Sequence, residues 1–142
     1  GSMAAVSNIF RVATTIRNHM ERSVLAEPDL SFTAFTVLWV LWIWGEQEAR
    51  HVAEESGVSR GTLTGVVSTL ERRALVRRRR HPDDRRSVLV ATTPAGEDLM
   101  AQLFPAFNAE EAKVSAGLSV AQKSDLADAL RSILRTVDRL DG

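Results

Sequence analysis

The sequence predicts a mainly α-helical fold with one small β-hairpin (α+β), and three observations predict it. Apolar residues recur at helical spacing in stretches that run from residues 6–26 to residues 119–140. Only residues 75–92 break that period, with two short runs suited to strands around a Pro-Asp turn. A short helix closing on Gly57, followed at once by a helix opening on Ser59, is a helix-turn-helix arrangement.

The elements follow in order. Ile9, Val12, Ala13, Ile16, Met20 and Val24 form one stripe, so a first helix is expected over residues 6–26, ended by Glu27-Pro28-Asp29 because the residue before proline avoids the α region. Ser31, with Thr33 as competitor, should cap a second helix running to Gly45. This helix is apolar on nearly all sides, which marks it as central and buried. Residues 46–50 make a polar connector with room for a short strand. Ala49–Gly57 then forms the short helix with a glycine C-cap, and Ser59 caps the next. In that helix Leu63, Val67, Leu70 and Ala74 share one apolar stripe. The strands are expected at residues 75–80 and 86–92, with a turn over His81-Pro82-Asp83-Asp84-Arg85, where Pro presets φ and Asp bonds its own backbone. Thr92 or Thr93 should cap a further helix with Pro94 at its first position, and Pro105 should kink or divide it. Ser119 caps a last helix whose Leu126, Leu130, Ile133, Val137 and Leu140 step by heptad spacing. In a chain this small, that seam reads as a subunit interface.

Composition narrows the function. A length of 142 residues is that of a single domain. Gly1-Ser2 ahead of Met3 reads as an added dipeptide, and with no cleavable apolar leader after Met3 a cytoplasmic protein is expected. The longest apolar run, residues 37–44, is far short of the roughly 20 residues of a membrane span, so no membrane partner is expected. Cysteine is absent, which excludes disulfides, thiolate zinc sites and thiol redox sensing. His19, His51 and His81 are scattered, and the HExxH, GxSxG and phosphate-loop motifs are absent, so neither catalysis nor a metal or cofactor is expected.

The formal net charge is zero, but residues 50–86 hold ten Arg against five acids. Eight of those Arg (72, 73, 77, 78, 79, 80, 85 and 86) fall within fifteen residues. Like charges on adjacent strands repel unless something neutralises them. A helix followed by such a hairpin suits a polyanion. On the wheel, Gly61, Gly65, Ser68 and Arg72 point outward from the Leu63 stripe, with Thr62, Thr64 and Thr69 at its edges. Small residues let a helix backbone approach base edges in a major groove. Ser59, Arg60, Thr62, Thr64, Ser68 and Arg72 are the candidate DNA-binding residues of this helix. Asp84 and Arg86, two apart at the hairpin tip, project to one face if they lie on a strand, so the carboxylate can orient the guanidinium toward a narrow minor groove, with Arg85 turned toward phosphate. Trp39, Trp42 and Trp44 sit together on the second helix, where they pack in the core or wall a cavity for an aromatic ligand.

With these residues in place, the chain resembles the MarR family of winged helix-turn-helix transcriptional regulators. The resemblance is carried by Val58-Ser59-Arg60-Gly61-Thr62-Leu63-Thr64-Gly65-Val66-Val67, by Leu70-Glu71-Arg72-Arg73 with Leu75-Val76-Arg77, and by Asp84-Arg85-Arg86-Ser87-Val88-Leu89-Val90 through Thr93 and Gly96. It covers residues 30–96, and helix order extends it to both ends. It implies N- and C-terminal dimerisation helices (residues 1–30 and 97–142) around a winged DNA-binding lobe (residues 31–96). It also implies a homodimer on a palindromic double-stranded operator, and in many members a repressor released by a small aromatic ligand. Three features depart from the family pattern. Ala74 stands where glycine is usual, and a left-handed Ala there would cost roughly 1 kcal/mol. Ser68-Thr69 replaces an Asp-Arg pair, and Thr92 replaces leucine. Set against this reading is a winged-helix module that binds protein or RNA, which loss of duplex DNA binding at low salt would favour.

Overall fold

The computed structural model describes residues 1–142. The helices are α1 (Ser2–Arg22), α2 (Phe32–Trp44), α3 (Ala49–Ser56), α4 (Arg60–Arg72), α5 (Pro94–Val114) and α6 (Val120–Asp141). The strands β1 (Gln47–Glu48), β2 (Val76–Arg80) and β3 (Val88–Thr92) form an antiparallel sheet in the order β1-β3-β2. Gln47 pairs with Val90 on one side of β3, and Arg78 pairs with Val90 on the other. The chain forms two compact units, residues 1–107 and residues 108–142.

In the first unit α2 is the centre. Ser31 caps it by accepting the Ala34 N–H at 3.0 Å, which excludes Thr33 as the cap. Phe35, Val37, Leu38, Val40 and Leu41 are all buried, so the helix is covered on every side until Ile43 and Trp44 emerge at its end. Leu63, Val67 and Leu70 of α4 join this core, as do Val52, Val76, Val90, Met100 and Phe107. Each such side chain contributes about 1.5–3 kcal/mol by leaving water. Phe35 stacks on Phe107 with ring centroids 4.1 Å apart.

Two expectations about helix ends need correction. The first helix stops at Arg22, not Ala26, because both the N–H and the hydroxyl of Ser23 take the His19 carbonyl, at 2.9 and 2.7 Å. A local side-chain bond of this kind competes with helix continuation. The chain then turns so that Leu25 is fully buried, and Pro28 acts only after the helix has ended. Pro105 does not divide the fifth helix, which runs unbroken from Pro94 to Val114. One missing N–H is tolerated where Leu103 and Phe107 are buried on either side.

Ala74 has φ +59, in the left-handed region. It holds the turn between α4 and β2, where its N–H reaches the Glu71 carbonyl at 2.9 Å. Ala74→Gly should therefore stabilise the fold by about 0.5–1 kcal/mol, the relieved strain exceeding the extra chain entropy of glycine. A thermal melt should rise by about 2–4 °C. An unchanged or lowered midpoint would show that the turn stores no strain.

In the second unit α6 opens on a capping box, Ser119 accepting the Gln122 N–H at 3.1 Å while the Gln122 side chain accepts the Ser119 N–H at 2.9 Å. No residue of α6 is buried, and Leu126, Leu130, Ile133, Val137 and Leu140 are all exposed.

Candidate nucleic-acid interface

The interface is built by α3, α4 and the β2–β3 hairpin. Gly57 caps α3 in the left-handed conformation (φ +69), and its N–H bonds the Glu54 carbonyl at 3.1 Å. Two residues later Ser59 opens α4, accepting the Thr62 N–H at 3.1 Å and donating to the Thr62 hydroxyl at 3.0 Å. The Ser59 side chain is thus engaged in capping. Gly61 and Gly65 have no neighbour closer than 4.0 Å to the place where a Cβ would stand. Nothing in the chain's own packing requires glycine there, although each costs a helix about 1 kcal/mol relative to Ala. Their open side leaves room for close approach from outside.

Arg60 and Thr64 share a cleft of about 520 Å³ with Arg50, Asp84, Arg86, Ser87 and Val88. The start of α4 and the tip of the hairpin therefore face one space. Thr62 lies elsewhere, in a shallower groove with Ser31, Ala34, Gly65, Val66 and Thr69. Ser68 is half-buried, and Arg72 at the end of α4 donates to the Thr69 hydroxyl at 3.2 Å. Arg85 is exposed at the hairpin tip. Of the tryptophans, Trp39 and Trp42 pack partly buried against the core, Trp42 with its ring centroid 5.4 Å from that of Phe104, while Trp44 is 66% exposed.

The hairpin differs from expectation in three ways. Its strands begin at Val76 and Val88, one and two residues later than the sequence suggests, so residues 81–87 form the turn. Arg86 consequently lies off the strand, and the Asp84 carboxylate accepts the Arg86 backbone N–H at 3.0 Å, not its guanidinium. Asp84 orients the turn, and only through it the arginine. Ser87 closes the turn from the other side, its N–H donating to the Asp84 carbonyl and its carbonyl accepting from His81 N–H, both at 3.0 Å.

The eight clustered arginines do not act as one block. Arg73 donates to the carbonyls of Asp29 and Pro28 at 2.8 and 2.6 Å, tying the end of α4 to the α1–α2 loop. Arg78 pairs with Glu71 at 2.9 Å and Arg79 with Glu46 at 2.7 Å. The Arg79 side-chain hydrogen bond, then the charges of Arg79, Arg77 and His81, hold the Glu46 carboxyl below its usual range. Hydrogen bonds from the Arg78 side chain and backbone do the same for Glu71. Arg50, which the sequence reading did not single out, joins the cleft while held to Glu48 at 2.6 Å. Glu48, two residues before Arg50 in the polar connector, was the available signal.

The chain is similar to known proteins in sequence and in fold. The MarR family model matches residues 30–88. An uncharacterised HTH-type transcriptional regulator of Bacillus subtilis, YwaE, is 36% identical over 132 residues, covering 93% of this chain and 77% of its own. BpsR of Bordetella bronchiseptica, whose DNA binding is regulated by 6-hydroxynicotinic acid, superposes with a TM-score of 0.82 at 26% identity, over 91% of this chain and 98% of its own. Reduced AbfR bound to DNA shares the fold, with a TM-score of 0.81 at 18% identity over 99% of this chain and 94% of its own. No helix of the chain is long and apolar enough to cross a membrane. The chain belongs to the MarR family of winged helix-turn-helix, DNA-binding transcriptional regulators.

Proposed function

We propose that this regulator is a homodimeric repressor that reads a palindromic operator and releases it on binding a small aromatic ligand. The observation that carries the reading is the shared cleft, in which Arg60 and Thr64 of α4 face Asp84 and Arg86 of the wing. With α4 in a major groove, a wing so placed reaches the adjoining backbone and minor groove. Ser59, Arg60, Thr62, Thr64, Ser68 and Arg72 serve the helix side of the contact, and Arg85 and Arg86, with Asp84 ordering the turn, serve the wing. The dimer is supported by the uncovered α6 seam and by Phe10 of α1, which is 70% exposed, as well as by the homodimers typical of the family. A ligand site beside Trp39, Trp42 and Trp44 is supported by their clustering on α2 and by the response of BpsR to 6-hydroxynicotinic acid.

Selection of bound duplexes from a random library tests the whole reading. It should return an inverted repeat with half-sites about 10 base pairs apart, as two lobes related by a two-fold axis require. Sedimentation at micromolar protein should give twice the chain mass of 15.6 kDa. Salicylate-like aromatics should quench the tryptophan fluorescence and weaken operator binding together. A direct repeat or a folded monomer would remove the palindrome argument, and aromatics that give neither quenching nor release would leave the indoles without a ligand role.

A further inference from the structure

The carboxylates of Glu71 and Glu46 lie on a surface otherwise fitted to a polyanion. Both are partly exposed, and both would repel phosphate. Their geometry is that of a clamp. Arg78 and Arg79 are successive residues of β2, so their side chains leave the strand on opposite faces. Glu71 takes the Arg78 guanidinium on Oε1, at 2.9 and 3.3 Å, and the Arg78 main-chain N–H on Oε2 at 3.1 Å. On the other face Glu46 takes Arg79 in a two-pronged contact, with Nε donating to Oε2 at 3.0 Å and Nη2 to Oε1 at 2.7 Å. Such paired, charge-assisted contacts fix direction as well as distance.

The position of the clamp matters. β2 is an edge strand, and Val76 is its only buried residue. From Arg77 outward no side chain of β2 is buried, so this strand is held only through its pairing to β3, whose Val90 is buried opposite Arg78, and through its own side-chain contacts. The contacts at 78 and 79 lie beyond that last buried residue, one leading to the end of α4 and the other to the α2–β1 connector.

We propose that Glu71 and Glu46 are positioning residues for operator reading, Glu71 gripping β2 at its open edge and Glu46 holding it through the outward Arg79, and so setting the angle between the wing and α4. This rests on the interface proposed above. The selectivity gained is a matter of register. When α4 sits in its groove, Arg86 at the wing tip meets the neighbouring groove only if β2 neither rolls nor lifts.

The test compares wild type, Glu71→Ala and Glu46→Ala on a library-selected duplex and on a scrambled duplex of equal length. Each variant removes a negative charge, so if these acids only repel phosphate both duplexes should bind more tightly, with an unchanged ratio. As clamps, their loss should weaken the selected duplex about tenfold, as a lost specific contact does, and leave the scrambled one equal or tighter. A milder variant, Glu71→Gln, keeps an acceptor for the Arg78 N–H without the charge and should fall between. Arg78→Glu should lose selectivity, and adding Glu71→Arg, which restores the side-chain pair but not the acceptor for the main-chain N–H at 78, should recover part of it at the wild-type net charge. Scrambled-duplex binding and far-UV circular dichroism report folding in every variant. An unchanged ratio in both alanine variants, or a double variant as unselective as Arg78→Glu alone, would overturn the clamp. Should the wild type fail to discriminate the two duplexes, the interface reading itself fails and takes the clamp with it.

Discussion

Gly96→Ala should destabilise the protein by about 3 kcal/mol or more, the upper range for overpacking a close-packed site. A Cβ at residue 96 would stand 2.1 Å from the Leu75 carbonyl oxygen, 3.2 Å from its carbon and 3.4 Å from Thr92 Cβ. The obstacle is backbone, and it cannot retreat easily. Thr93 N–H donates to that same Leu75 carbonyl at 3.1 Å, the Thr93 hydroxyl donates to the Ala74 carbonyl at 2.6 Å, and it accepts the Gly96 N–H at 3.1 Å. Opening the gap means separating the first turn of α5 from the junction of α4 and β2, where the recognition helix meets the wing. A loss of this size is a large part of the roughly 5–15 kcal/mol by which domains are stable. Thermal melts should show a midpoint lower by about 10 °C. Gly65→Ala, where the added methyl meets nothing within 4 Å, is the control and should be neutral or stabilising. A Gly96→Ala midpoint within a degree or two of wild type would mean that this junction is far softer than its hydrogen bonds imply.

Raising salt from about 50 to about 200 mM should weaken operator binding by roughly 10³–10⁵, the range for six to ten phosphate contacts on a duplex. The contacts should come unevenly from the arginines. Arg86 lines the cleft with Arg60, so Arg86→Ala should lower the salt slope of a dimer by roughly 2, one contact per subunit. Arg78 is already engaged by Glu71, so Arg78→Ala should change that slope far less, although it removes the same charge. Equal changes would mean that the Arg78–Glu71 pair opens onto phosphate and the wing acts as undifferentiated charge. The turn gives a finer distinction. Asp84→Asn keeps an acceptor for the Arg86 N–H and should bind at least as tightly as wild type. Asp84→Ala releases the turn and should bind more weakly, despite making the wing more cationic.

Much of this architecture is legible residue by residue. Ser31, Ser59 and Ser119 each cap the helix that their position announces, because a cap is satisfied by an N–H two or three residues away. Gly57 ends α3 for an equally local reason. The buried character of α2 follows from its composition, and the Leu63, Val67 and Leu70 stripe from a 3.6-residue period. Misjudged boundaries lie where a single nearby bond outweighs a pattern. The Ser23 hydroxyl ends α1 before Pro28 can, and the turn held by Asp84 and Ser87 keeps Arg86 off its strand.

What the sequence by itself determined is the helix-turn-helix, the hairpin, the heptad seam and the concentration of arginine around one helix, since each depends on residues within a few turns of one another. Which arginines remain available to a partner was decided only by the tertiary structure. Arg79 finds Glu46 across 33 positions of chain, and Arg73 finds the carbonyl of Asp29 across 44. No local period encodes such pairs. They exist because burial of α2 and of the Leu63 stripe brings the α2–β1 connector, the α1–α2 loop, α4 and β2 together. Charge interactions fall off with distance and strengthen as water is excluded. The packing of the apolar residues therefore selects the partner of each cation, and a run of eight like charges in the sequence becomes in the fold a few arginines spent on structure and a few turned toward the cleft.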